Sequence, residues 1–302
     1  MAMLQFRFRR RIATLGQGLA AACCAFPLIA VADMVANAPW HAAPEVIAAP
    51  SGGASTTIRG VVFEDANLDG RHQPEEPGIA GVLVSNGLDV VATDASGRYQ
   101  LPVRADMNLT VVQPSGFEVP VDVRQVPQFF HVHKRDGSPA TFRFGGLPAA
   151  GPAPAAVNFP LRRSDVGDDF RCAVIGDSQT YSNTEVSYFR DSTIADLHAT
   201  GLDAWDCLLY VGDVVGDDLG LLDRMLELGA TLGAPQWLTH GNHDYDFDAP
   251  DDADSADSWR RIYGPEYYAF EMGQVTFIVI DNVVYPCGEA DMALPGREFC
   301  DT

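Results

Sequence analysis

Three short apolar runs in the second half of the chain lead into glycine followed by an oxygen-bearing side chain. Residues 172–175 precede Gly176-Asp177-Ser178-Gln179, residues 207–211 precede Gly212-Asp213, and Trp237-Leu238 precedes Gly241-Asn242-His243-Asp244. Buried strands that end this way project ligands from the carboxyl edge of one sheet, where open α/β sheets place their sites. Asp177, Asp213 and Asn242 are hard oxygen donors, suited to manganese, magnesium or iron, and to zinc when imidazole joins them. A carboxylate can bridge two cations, and two ions about 3.5–4 Å apart can clamp the attacking and leaving oxygens of phosphoryl transfer. His243 can protonate a leaving alkoxide, and Asp244 could orient that imidazole. Each residue alone has a plainer role, since Asp commonly caps a helix and Asn commonly makes a turn. Their joint placement, 36 and 29 residues apart, matches successive β-α-β units and favours a shared site.

The elements that must position them follow from the pattern. Strands are expected at 170–176, 206–212 and 235–241, and helices at 183–200 and 219–232. In the first helix Val186, Phe189, Ile194 and Leu197 recur at helical spacing. The acidic run from Asp246 to Asp257 reads as a solvated lid. A helical turn at 258–263 and a hairpin at 267–282 around Gly273-Gln274 come next.

Before these, residues 56–162 show short strands broken by turn residues, the pattern of a small β-sandwich. Its first loop, Asp65-x-Asn67-x-Asp69-Gly70 with Glu76, has calcium-loop spacing: alternate oxygens, a Gly for the sharp turn and a closing carboxylate. The plainer alternative is an acidic β-turn, and Pro74 opposes the helix that usually follows. His131 and His133 alternate on an expected strand and read as a surface pair. Residues 33–55 have the Ala, Pro and Ser composition of a linker.

Residues 1–32 read as a targeting leader. Arg7, Arg9, Arg10 and Arg11 precede an apolar stretch ending in the small residues Ala30-Val31-Ala32, the secretory pattern. Arg9-Arg10 also resembles a twin-arginine signal, and a lipidated Cys23 is a minor alternative. A transmembrane anchor is disfavoured by Gly16, Gln17, Gly18 and Pro27 within the stretch. The expected location is therefore exported, periplasmic or secreted. With 41 acidic and 20 basic residues the chain carries a net charge of −21, which disfavours nucleic-acid binding by a basic patch. Cys172 and Cys207 lie in strand runs and read as buried thiols. Cys287 and Cys300 flank a polar loop and read as the disulfide of an oxidising compartment.

The three strand-end motifs resemble the first three motifs of the calcineurin-like metallophosphoesterases. Tyr267-Tyr268-Ala269-Phe270 through Ile280-Asp281-Asn282 is similar to the strand pair that follows them in that superfamily. Residues from Gly60 through Gly81-Val82 to Tyr99 resemble prealbumin-like repeats, the sandwich that precedes the core in one branch. The resemblance covers about residues 57–302. It implies an α+β / α/β chain whose part from 165 to 302 is the N-terminal portion of a four-layer α/β/β/α core. It further implies two divalent transition metals, manganese, iron or zinc. Asp177 and Gln179 would bind the first, Asp213 would bridge, and Asn242 would bind the second. His243 would act as acid paired with Asp244, and a metal-bridging hydroxide would attack a phosphomonoester or phosphodiester. Two departures stand out. Gln179 occupies a position where the superfamily usually has His, and no histidine follows His243, although the superfamily takes ligands from later Gly-His-x-His motifs. The expectation is a C-terminally incomplete core with weak or no turnover. The competing expectation is a non-catalytic, calcium-stiffened exported binding or spacer protein.

Overall fold

The computed structural model describes residues 39–50, 56–201 and 204–285. The leader, the serine-glycine end of the linker and the expected Cys287–Cys300 pair lie outside these residues. Among the described residues, no helix is long and apolar enough to cross a membrane.

The N-terminal part is two facing sheets. The first has the order β1 (Glu45–Ile47), β9 (Ala156–Arg163), β2 (Thr57–Glu64), β5 (Arg98–Pro102), with β7 (Phe117–Glu118) also paired to β9. The second has the order β4 (Val90–Ala92), β3 (Leu83–Ser85), β6 (Asp106–Val111), β8 (Phe130–Lys134). Period-two alternation explains the pairing: Ile58, Val62, Tyr99 and Leu101 of the first sheet join Met107, Leu109 and Val111 of the second in one core. His131 and His133 stand opposite Leu109 and Met107, so they face that core rather than solvent. His133 is 2% exposed, which corrects the surface reading.

The C-terminal part starts with three parallel strands in sequence order: β10 (Cys172–Ile175), β11 (Cys207–Val211) and β12 (Gln236–Thr239). The first crossover is α1 (Asn183–Phe189), a π turn at Arg190–Ile194 and α2 (Ala195–His198). Ser182 caps α1 by accepting from the Glu185 amide. The second crossover is a 3-10 turn at Leu219–Leu221 running into α3 (Leu222–Ala230). Cys172 and Cys207 are register partners on neighbouring strands and form a disulfide with Cα atoms 4.6 Å apart. This replaces the two free thiols expected from the sequence. Register brought the two cysteines together, and the spacing within either strand could not reveal it.

After β12 come α4 (Asp252–Ser255), α5 (Asp257–Ile262) and a hairpin of β13 (Tyr268–Met272) and β14 (Val275–Val279). The hairpin packs by its aromatic face: Phe270 stacks on Trp237 at 3.8 Å and on Phe277 at 4.6 Å. The outer edge of β12 is closed by two phenols. Tyr263 OH accepts from the Leu238 amide and Tyr268 OH donates to its carbonyl, both at 2.8 Å.

The acidic run is solvated only in part, at Asp248, Asp251 and Asp252. Asp246 and Asp257 are fully buried. Asp246 accepts from the Ser258 amide at 2.7 Å and from its hydroxyl at 2.6 Å. Asp257 lies against Lys134 and Arg260. The described chain is thus a mixed α+β protein with several sheets and few helices.

Candidate metal centre

Each of the three strand ends turns sharply at its carboxyl edge. Asp177, Gln179, Asp213 and Asp217 all have left-handed backbones, with φ of 48°, 38°, 48° and 62°. Non-glycine residues adopt that region at a cost of order 1 kcal/mol or more, and such strain collects at functional sites. The first two turns hold each other. The Asp177 amide donates to Gly212 O at 3.3 Å, Gln179 N to Asp213 O at 2.8 Å, and Gly216 N to Thr180 O at 2.9 Å. The Ser178 hydroxyl donates to Val214 O at 3.1 Å.

This lacing sets the Asp177 and Asp213 carboxyl groups close enough to act on each other. The Asp213 carboxyl is raised above its ordinary value, first by burial and further by the neighbouring Asp177, against the lowering effect of the His243 amide. That amide donates to Asp213 Oδ1 at 3.1 Å, which binds the third turn to the second. Gly241 makes the approach feasible: a Cβ there would stand 2.0 Å from Asp213 Oδ1 and 2.4 Å from its amide nitrogen. The glycine of the third motif is therefore a packing requirement of the second.

Asp244 takes a different place from the one expected. Its carboxylate is fully buried and accepts from the amides of Val215 at 2.9 Å, Val214 at 3.1 Å and Gly241 at 2.8 Å. Burial outweighs those three donors and pushes its pKa up to about 6. It braces the second and third turns from beneath. The carboxylate on the imidazole is that of Asp217, whose Oδ1 lies 2.7 Å from His243 Nδ1. The Asp217 amide returns a hydrogen bond to His243 O at 3.2 Å, so the two residues clasp each other. Asp217 was missed from the sequence because Asp217 and Asp218 are adjacent and equivalent there. Only the left-handed turn selects the first.

Gln179 Nε2 donates to Tyr181 OH at 3.1 Å, an orientation that leaves the amide oxygen as the free donor to a cation. The Tyr181 ring lies edge-on to the His243 ring, centroids 6.1 Å apart. It lies flat over Gly216, where a Cβ would stand 2.6 Å from it.

Behind the centre, His240 is buried with Nε2 3.5 Å from Asp281 Oδ2, an ion-pair distance outside hydrogen-bond geometry. Tyr245 OH donates to Asp281 at 3.1 Å. Burial pulls the imidazole down, but Asp281 and then Asp244 outweigh it and the net shift is upward. Nothing in the motif spacing announces this pair, because Asp281 arrives from beyond β14.

The calcium-spaced loop is laced by its own backbone. Asp65 accepts from Asp69 N at 3.2 Å and Gly70 N at 2.7 Å, and Glu76 from Ala66 N and Gln73 N at 3.0 Å each. Asn67 accepts from Asp69 N at 3.1 Å, and Asp69 from Arg71 N at 2.8 Å. Among the described residues, no group of three or more His, Cys, Asp or Glu side chains is gathered in a form that could hold a metal. The other two motif residues, Gln179 and Asn242, carry amide side chains rather than imidazole, thiol or carboxylate.

One sequence family, described as the N terminal of calcineurin-like phosphoesterase, matches residues 66–148. That stretch lies within the β-sandwich and contains none of Asp177, Asp213, Asn242 or His243. It supports the same superfamily as the strand-end motifs, on residues independent of them. No curated protein matches the chain.

Proposed function

We propose that this chain is an exported, metal-dependent phosphoesterase that hydrolyses phosphomonoesters or phosphodiesters at the ends of β10, β11 and β12. The observation that carries this reading is the meeting of Asp177 and Asp213 on left-handed turns. Two carboxylates so close repel unless a proton or a cation lies between them. The match of residues 66–148 supports the same class from the other end of the chain.

The residues fit divalent ions. Asp177, Gln179, Asp213 and Asn242 would hold them, a set of hard oxygen donors compatible with manganese, iron or zinc. Once bound, such ions would supply Lewis-acid polarisation of the phosphoryl oxygens. The chain's own contribution is positioning and proton transfer. Asp217 holds His243 Nδ1, and Nε2 is the ring nitrogen that would give a proton to the leaving oxygen. Asp244 fixes the turn that carries Asn242 and His243. The three-stranded sheet and the hairpin would be parts of the four-layer core, joined at about residues 163–165 to the sandwich of 56–162. The arginines and apolar run of residues 1–32 support export.

The purified chain, supplied with manganese or zinc, is expected to hydrolyse an aryl phosphate or its diester. Asp213→Asn should abolish this while retaining the thermal unfolding midpoint. Turnover unaffected by Asp213→Asn, or none with any divalent ion, would overturn the reading. The spacing of Asp65, Asn67, Asp69 and Glu76 favours a second reading, a calcium-stiffened spacer without turnover. Metal analysis separates the two: transition metal lost on Asn242→Ala supports the enzyme, and calcium alone, lost on Asp65→Ala, supports the spacer.

A further inference from the structure

The outer face of the first sheet carries a second constellation, remote in sequence from the strand-end turns. Ile58 and Val62 of β2 and Tyr99 and Leu101 of β5 point into the sandwich. The alternate residues Arg59, Arg98 and Gln100 therefore share the opposite face, where all three are exposed. There the surface is hollowed into a groove of about 620 Å³, lined by these three with Asp94, Ala156 and Asn158. Small-molecule sites have volumes of this order.

Arg59 stands directly across from Gln100, and Arg98 is diagonal to Arg59, an arrangement with spacing of about 7–8 Å that long side chains can close. Like charges so placed repel, and this chain has 41 acidic residues with which to neutralise them. Yet neither guanidinium has a carboxylate within ion-pair distance among the described residues, and the one acid of the groove, Asp94, acts on Arg98 from beyond that distance. The site is also held in shape. Arg59 Nε donates to Gln100 Oε1 at 3.1 Å, which leaves its two terminal nitrogens for another acceptor. Asp94 Oδ1 accepts the Arg98 amide at 2.9 Å and the Ser96 amide at 2.8 Å. Asn158, buried in the floor, accepts from Val61 N at 2.9 Å and donates to Glu45 at 2.8 Å.

We propose that this groove binds the oxyanion group, phosphate or carboxylate, of a small sugar-sized ligand between Arg59 and Arg98, at a site separate from the metal centre. Guanidinium forks match both anions in bidentate geometry. A long polyanion would meet the repulsion of a surface whose net charge is −21, so the occupant is small.

The test is calorimetric titration of the full chain in chelator with glucose 6-phosphate, glucuronate and glucose, which share a ring and differ in the anion. At least one acidic sugar should bind, glucose should not, and Asp213→Asn should leave that binding unchanged. The double variant Arg59→Gln, Arg98→Gln should weaken it about tenfold or more with an unchanged unfolding midpoint. Binding of glucose 6-phosphate alone assigns a phosphate site, of glucuronate alone a carboxylate site, and of both a general oxyanion site. No binding of either, equal binding of glucose, or a double variant as tight as the parent would overturn the proposal.

Discussion

Asp217 and Asp244 show how two carboxylates near one imidazole divide the work. Asp244 is spent on three backbone amides, and Asp217 is spent on His243 Nδ1. Asp244→Asn would present an amide N–H₂ or a single oxygen to donors that need two oxygens. With full burial, that costs about 1–3 kcal/mol, read as a lower unfolding midpoint. Asp217→Asn lies at a half-exposed position and should leave the midpoint in place. It should lower kcat for ester hydrolysis by about 10–100-fold, as loss of an orienting partner does. The two effects are distinct, and a stability loss at Asp217 with intact kcat would remove it from any catalytic role. The placement of Asp177, Asp213, Asn242 and His243 after successive strands was legible because their spacing repeats with the β-α-β unit. It could not rank Asp217, Asp218 and Asp244 as partners of the imidazole, because that depends on backbone twist at single residues.

At the scale of elements, strand β8 carries a pH sensitivity that its sequence hid. The alternation of His131 and His133 was readable, but which face of β8 they occupied was not, since register against β6 decides it. Burial lowers both imidazoles. His131, also beside His133, falls to about 4 from an ordinary 6.5. As pH drops below 6.5 the unfolded chain takes up protons that the folded strand refuses. The stability that neutral histidines provide is complete above that point and is lost as pH falls toward about 4. For His131 the loss is roughly 2–3 kcal/mol at most, reduced because the ring keeps some contact with solvent. Unfolding midpoints measured across this window should fall less steeply in His131→Gln than in the parent, and parallel slopes would show that the ring is not protected. The parallel sheet was more legible than the sandwich face: its buried strands read as continuous apolar runs. Its Cys172–Cys207 link escaped notice for the same reason as the histidines, since a cross-strand pair requires the register of both strands.

The whole molecule is coupled by a charge cluster that composition alone describes as a surplus of acid. Arg260, 4% exposed, reaches Asp106 at 2.6 Å, Asp257 at 3.0 Å and Glu266 at 3.6 Å, and its Nε donates to Asn108 at 3.2 Å. Lys134 meets Asp106 at 3.2 Å and both Asp254 and Asp257 at 2.5 Å. Asp106, Asn108 and Lys134 belong to β6 and β8 of the sandwich, and the rest to the helices and loop after β12. A short bridge of Gln113 to the hairpin, with Glu271 N donating to Gln113 O at 2.8 Å, adds backbone bonding beside it. The acidic run was misread in part from sequence because its cations come from 120 residues away as well as from the next turn. Buried pairs of this kind add little net stability over an apolar packing, but removing one partner strands the others. Arg260→Met leaves Glu266 without a cation and leaves Asp106 and Asp257 with Lys134 alone, a loss of about 3–5 kcal/mol. Because the cost falls on the contact between the two parts, calorimetry should show the variant unfolding in two resolved transitions where the parent shows one. A single transition shifted downward would mean that the aromatic contact of Phe129 with Trp237 and Tyr268, at 5.2 and 4.8 Å, couples the parts without the cluster.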